Sequence, residues 1–460
     1  MDKPGKARGR RSVLIVTTLS AFLVPMALST VNVALPSIAK YFSMDAISLG
    51  WVALAFALTA GIFLVPFGKV ADIHGRNKVF ICGTWVFTAA SFFLGIATSG
   101  RMIILFRAMQ GLSAAMLFGT MIAILIAAFP IEDRGKVLGV NVAAVYLGLS
   151  LGPFLGGVLT EHLGWRSVFF LNVPLGFAAA LISTWKLRME RSRQNKEPFD
   201  IVGSVIYGSA LFLIMWGFSL LPAPAAFVLI AAGAGGIGIF VWWEARTSSP
   251  VLDIGLFRTN KVFTLSSIAA LISYSATFAI GFLLSLYLQH IKGLGPQTAG
   301  TILIAQPIVQ ALFSPLAGRI SDRIQPRIIA STGMAVTALG LFLFAALGAG
   351  TPLSYVVVSL SLLGFGFALF SSPNMNAIMS SVPGKCYGVA SSMVATMRLL
   401  GQMFSLGIAM LVFALCMGPV TISPPFYPLF LKAMKSGFAI FAFLCVGGVF
   451  ASLTRGDVRR

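Results

Sequence analysis

The residues best placed to do chemistry in this chain are a few polar groups set inside long apolar stretches. Arg107, Gln110 and Gly111 recur at i, i+3 and i+4, so a helix presents all three on one face. An arginine inside an apolar span costs at least about 2.5 kcal/mol on insertion scales, so it must face a cavity or a partner. Further on, Gly148, Gly152, Pro153, Gly156 and Gly157 set small residues at four-residue spacing. Such a stripe lets two helices approach closely, and the proline removes a backbone donor and bends its helix. Polar or aromatic side chains at mid-span are candidates to line a solute cavity: Asn32, Asn141, Tyr146, Tyr274, Gln306, Gln310, Asn374, Asn376, Arg398 and Gln402. Each of them would serve equally well in a hydrogen bond between helices.

Carboxylates are absent from the same depth. All 13 acidic residues fall in loops, tails or near the end of an apolar run, with Asp72, Glu161, Asp200, Glu244 and Asp322 coming closest to it. A proton carrier needs an ionisable group whose proton affinity changes with burial. Glu161 and Asp72 are the candidates that remain for that role. The four cysteines are scattered and there are only three histidines, so no metal-ligand spacing arises and the cysteines read as packing residues. No Gly-x4-Gly-Lys-Ser/Thr loop is present to hold a nucleotide. The expectation is therefore no cofactor, no metal and no enzymatic activity.

The elements that position these residues follow from composition. The chain of 460 residues is 58% hydrophobic and only 10% charged, where a soluble domain carries roughly 25% charged residues. Its apolar runs are about 20 residues long, the length of a helix crossing a hydrocarbon core about 30 Å thick. Fourteen such runs are expected, at about 13–39, 47–69, 78–98, 102–127, 135–160, 165–187, 200–220, 223–244, 261–290, 297–318, 327–347, 353–380, 386–416 and 430–454. They do not alternate as the strands of a membrane barrel would. The fold class expected is an all-α integral membrane protein. The net charge of +20 is distributed by topology. About 25 basic residues lie before the first run, in every second loop and after the last, against about 6 in the other loops. Excess Lys and Arg mark the cytoplasmic side, so both termini are expected there, in contact with membrane lipid and not with nucleic acid.

The chain also repeats itself. Gly68-Lys-Val-Ala-Asp72 returns as Gly318-Arg-Ile-Ser-Asp322, and Gly135-Lys136-x-x-Gly139-Val140 returns as Gly384-Lys385-x-x-Gly388-Val389. Between them Gly111 corresponds to Gly364 and Pro130 to Pro383. Internal repeats mark secondary transporters, whose site lies between the copies near the bilayer midplane. The boundaries that follow are a basic tail (1–12), a six-helix bundle (13–187), a linker (188–199) and two inserted helices (200–244). A second linker (245–260), a second six-helix bundle (261–454) and a short tail (455–460) complete the chain.

Gly68-Lys-Val-Ala-Asp72-Ile-His-Gly75-Arg76-Asn-Lys78 resembles the loop signature between the second and third spans of the major facilitator superfamily. The Arg107, Gln110, Gly111 set and the stripe from Gly148 to Gly157 resemble that family's fourth-span motif and its antiporter signature. Val31-Asn32-Val33-Ala34-Leu35-Pro36, Trp165-Arg166 and Asn172-Val173-Pro174-Leu175-Gly176 fit its 14-span drug:proton antiporter (multidrug efflux) branch. The resemblance implies two six-helix bundles plus two inserted helices. It implies a cytoplasmic latch of Gly68, Asp72, Gly75 and Arg76, with Gly318, Asp322 and Arg323 as its second copy. It further implies a gate or proton relay at Arg107, Gln110 and Gly111, and function as a monomer in the cell membrane. The activity implied is export of amphiphilic small molecules by alternating access with proton antiport. The alternative is a proton-independent facilitator, or an exporter of organic anions that uses Arg107 and Arg398. Two departures stand out: Ile73 occupies a position usually basic, and Ala27 stands where the branch commonly has an aspartate.

Overall fold

A computed structural model describes residues 4–187, 199–247, 250–252, 255–321, 323–383 and 387–456. Asp322 and the segment 384–386 of the second repeat lie outside the described residues. Fourteen helices are long and apolar enough to cross a membrane, and no strand occurs among the described residues. They are α1 (Arg10–Phe42), α2 (Ala46–His74), α3 (Arg76–Gly95), α4 (Gly100–Ala128), α5 (Lys136–Leu163) and α6 (Arg166–Lys186) in the first half. The insert is α7 (Ile201–Leu220) and α8 (Pro224–Glu244). The second half holds α9 (Lys261–Ile291), α10 (Pro296–Ser321), α11 (Pro326–Ala345), α12 (Leu353–Ser380), α13 (Ala390–Cys416) and α14 (Pro424–Leu453).

Several helices outrun their apolar cores, because polar caps and not hydropathy decide where they end. Asp45 opens α2 by accepting from Ser48 N at 2.6 Å, and Ser99 opens α4 by accepting from Met102 N at 3.2 Å. Asp200 does the same for α7 from Gly203 N at 2.8 Å. The turn between α2 and α3 is made by Gly75 at φ 105°, a conformation that only glycine adopts without strain.

The halves repeat each other's packing. α5 lies on α1 as α13 lies on α9, α4 on α2 as α12 on α10, and α6 on α3 as α14 on α11. Glycine makes the equivalent contacts close. Gly111 of α4 abuts Phe56 O and Thr59 Oγ1 of α2, and Gly364 of α12 abuts Gln306 O of α10. Gly152 of α5 faces Ser29 of α1, while Gly401 of α13 faces Leu271 O of α9 at 2.8 Å from a notional Cβ. A side chain at any of these would push backbones apart.

Two seams carry most of the contact between the halves: α5 against α10, and α2 against α13. They are equivalent under the repeat, yet only the second is covered by the insert. α7 touches both α2 and α13, with Tyr207 donating its hydroxyl proton to Gly61 O at 3.1 Å and Gly407 packed on Met215.

Candidate functional site: a cavity between the halves

The helices that meet along the pseudo-symmetry axis leave a cavity enclosing about 960 Å³ of space not filled by atoms, open solvent at its mouth included. Its wall comes from α1 and α5 of the first half and α9, α10, α12 and α13 of the second. Seven of the ten residues singled out at mid-span line it: Asn32, Tyr146, Tyr274, Gln306, Gln310, Arg398 and Gln402. Phe278, Phe367, Leu149, Leu303 and Val145 supply apolar surface, and Ser29 and Thr277 supply hydroxyls. The Tyr146 and Tyr274 phenols, one from each half, lie within electrostatic reach of each other and of Arg398. The Arg398 guanidinium stands 5.1 Å from the centroid of Phe118, across the halves. Among the described residues no carboxylate lines the cavity.

Three candidates lie elsewhere. Asn374 is held in the second half, donating to Ser266 O at 3.1 Å and accepting from Arg455 Nη1 at 2.8 Å. Asn376 donates to Ser321 Oγ at 3.2 Å. Asn141 is buried on another face of α5, with no hydrogen-bond partner for Nδ2. Arg455 carries no sequence signal of burial, since it follows the last apolar run. It is nevertheless fully buried, and burial beside Arg327 pushes its guanidinium down to about 10.

Arg107 does not reach the cavity. It is fully buried inside the first half, where Nε donates to Val52 O at 3.1 Å and Nη1 to Gln110 Oε1 at 2.7 Å. Gln110 in turn donates to Ser91 Oγ at 2.9 Å, and the guanidinium lies 4.6 Å from the centroid of Phe56. The network joins α2, α3 and α4, and leaves Arg107 Nη2 without a partner.

The glycine stripe has two faces. Gly148, Gly152 and Gly156 seat α5 on α1, with Phe22 O, Ser29 and Thr30 as their neighbours. Gly157 points across the seam, where a Cβ would stand 2.5 Å from Pro296 O and 2.9 Å from Gln297 Cα, and Gly300 answers it by abutting Pro153 O. One turn on, Glu161 accepts from Gln297 N at 2.8 Å, and His162 Nε2 meets Gln297 Oε1 at 2.8 Å. Glu161 thus caps the start of α10 from the opposite half, where the helix dipole favours negative charge. Gln289 Nε2 donates to Val33 O at 2.9 Å, and Ala46 N to Val420 O at 3.0 Å. All four contacts close the end of the molecule away from the termini.

At the terminal end, the contacts of Asp72, Arg76 and Gly318 among the described residues, three of those expected to form the latch, stay within their own half. Asp72 accepts from Arg76 Nε at 2.8 Å within the same turn. Gly68 has no neighbour within 4 Å of a notional Cβ, and Gly318 meets only Ser372 Oγ of its own half, at 3.0 Å.

The model of the Major Facilitator Superfamily matches residues 17–406 and 266–457. The riboflavin transporter RibZ of Clostridioides difficile is 31% identical over 400 residues, 86% of each chain. The multidrug resistance protein Stp of Mycobacterium tuberculosis is 30% identical over 86% of this chain and 74% of its own. The tetracenomycin C resistance and export protein of Streptomyces glaucescens is 27% identical over 88% of this chain and 76% of its own. Among solved structures, a bacterial homolog of the lysosomal transporter Spinster, inward-facing and unoccupied, superposes with a TM-score of 0.66 at 15% identity over 99% of this chain and 98% of that one. The POT family transporter PepTSo does so at 0.70 and 15% identity, over 99% and 98%. A repeat of two six-helix bundles around one shared cavity, with these relatives, makes the chain a membrane transporter of the major facilitator superfamily, in its drug-efflux branch.

Proposed function

We propose that this transporter exports amphiphilic small molecules across the cell membrane by alternating access, with proton antiport as its driving reaction. The observation that carries the reading is a cavity lined from both halves and closed at one end by cross-half contacts. With the basic loops and both termini on the cytoplasmic side, the closed end is the outer one and the form described is inward-facing. The pairing of Asp72 with Arg76 in its own turn is in keeping with this, because a latch that holds the outward-open state must be released in the inward-open one. Aromatic and aliphatic walls with a few amides suit flat amphiphiles, in keeping with drug-resistance relatives.

A second reading has its own observation. The cavity offers Arg398, amides and phenols but no carboxylate among the described residues, so a cation finds no counter-charge there. Neutral or anionic heteroaromatics are matched better, and the relative named as a riboflavin transporter points to the same chemistry. Arg107 takes no part, being enclosed in the first half.

The deciding experiment is flux in proteoliposomes of a cationic dye, an anionic dye and riboflavin, with and without an imposed pH gradient. Gradient-dependent export supports the first reading. Gradient-independent flux of the anion or of riboflavin, with none of the cation, replaces it with the second.

A further inference from the structure

At the terminal end of the insert, two carboxylates meet with no cation beside them among the described residues. Asp200 opens α7 and Glu244 closes α8, at 9% and 3% exposure respectively. A Cβ on Gly203 would stand 2.5 Å from Asp200 Oδ2 and 2.6 Å from Glu244 Oε1. The two oxygens are therefore within about 5 Å of each other, where like charges repel strongly in any medium poorer than water. Asp200 spends its oxygens on Gly203 N at 2.8 Å and Trp243 Nε1 at 2.9 Å. Glu244 Oε2 accepts from Leu252 N at 3.0 Å, while Oε1 is buried with no hydrogen-bond partner.

Among the described residues, the contacts of the pair include no positive charge. Burial acts most strongly on Glu244, with the Leu252 and Val251 amides beside it, and Asp200 is the one charged group among the described residues that acts on it. Arg246 lies over the Trp242 ring, and the Tyr207 hydroxyl is turned to Gly61 O on α2. From α2 and α13 the nearby wall is Val65, Thr396 and Met397, all uncharged. A lone buried carboxylate oxygen facing a second carboxylate needs a ligand of positive charge.

We propose that Asp200 and Glu244 form a one-proton site, in which Glu244 Oε1 carries a proton taken from the solvent at the terminal end. The pair then holds one negative charge instead of two, and the added O–H gives the orphaned oxygen a donor to offer towards Asp200. Its position has a consequence. Glu244 anchors Leu252, the residue of the linker that leads into the second half, while α7 bridges α2 and α13. Occupancy of the site thus bears on how the insert and its linker hold the two halves. The site lies outside the transport cavity and does not depend on the antiport reading.

The test is infrared difference spectroscopy of the full chain in lipid nanodiscs, which needs no substrate. Wild type is expected to show a protonated-carboxyl band at neutral pH that Glu244→Gln removes. Asp200→Asn keeps the cap on α7 but lifts the repulsion, so the band should titrate at a pH lower by about one unit or more. Glu244→Gln, which preserves the Leu252 acceptor, should leave the protein folded, as melting in the same discs would verify. The proposal is overturned if the wild-type spectrum lacks a band that Glu244→Gln removes, or if that band is unmoved by Asp200→Asn. It is equally overturned if sodium or potassium raises the melting temperature of wild type but not of Glu244→Gln while no protonated carboxyl is seen, since the ligand is then a metal cation.

Discussion

Arg107 and Arg398 are both arginines set inside membrane spans, and their partners give them different duties. Arg107 spends its donors on Val52 O and Gln110 in the interior of the first half, whereas Arg398 faces the cavity between the halves. Arg107→Ala should leave the buried Gln110 amide oxygen without a donor, at about 1–3 kcal/mol, and open a void beside Val52 and Phe56, and so lower folded yield and melting temperature. Arg398→Ala should leave melting unchanged and reduce anion or riboflavin flux by roughly tenfold, the size of one charge-assisted contact. Melting curves beside flux measurements separate the two. Sequence alone showed both as costly mid-span cations and could not say which faced solute, because helical spacing fixes a face but not what that face meets. Asn374 illustrates the same limit: its amide looks available until Arg455, from beyond the last apolar run, turns inward to occupy it.

At the scale of elements, α5 acts through its two glycine faces. Gly152→Leu would part α5 from α1 and damage the first half itself, since Ser29 stands in the way of any side chain there. Gly157→Leu touches only the seam with α10, so the fold should survive while the far end fails to close. Labelling Asn32→Cys with a membrane-impermeant thiol reagent from the outer side reads this directly. Labelling should rise several-fold in the Gly157→Leu background, and an unchanged rate would show that the stripe does not close the seam. Asp72→Asn addresses the other end. It removes the carboxylate proposed for the latch, so it should slow transport without loss of protein from the membrane, and full activity would remove the latch assignment. The stripe and the latch loop were legible because each forces glycine or charge into a fixed register. The cross-half role of Glu161 was not, because no local pattern says that the start of α10 will arrive beside it.

For the molecule as a whole, pseudo-symmetry is the governing feature and the insert is what breaks it. The ordered repeat of Gly68, Gly111 and Gly135 with Gly318, Gly364 and Gly384 already required two equivalent bundles. Fourteen apolar runs required two helices to lie outside them. Which seam those helices cover was not readable, since lipid-facing helices such as α8 carry few contacts to encode a docking site. Covering only the α2–α13 seam leaves the α5–α10 seam uncovered by the insert, with Glu161, Gly157 and Gln297 at its end away from the termini. The central claim is that this end must part for solute to cross. Glu161→Cys with Gln297→Cys, in a chain freed of its four native cysteines, should be joined by a short cleavable thiol cross-linker. Flux in proteoliposomes should then stop and return once the linker is cleaved; undiminished flux through fully cross-linked protein would contradict alternating access at this seam.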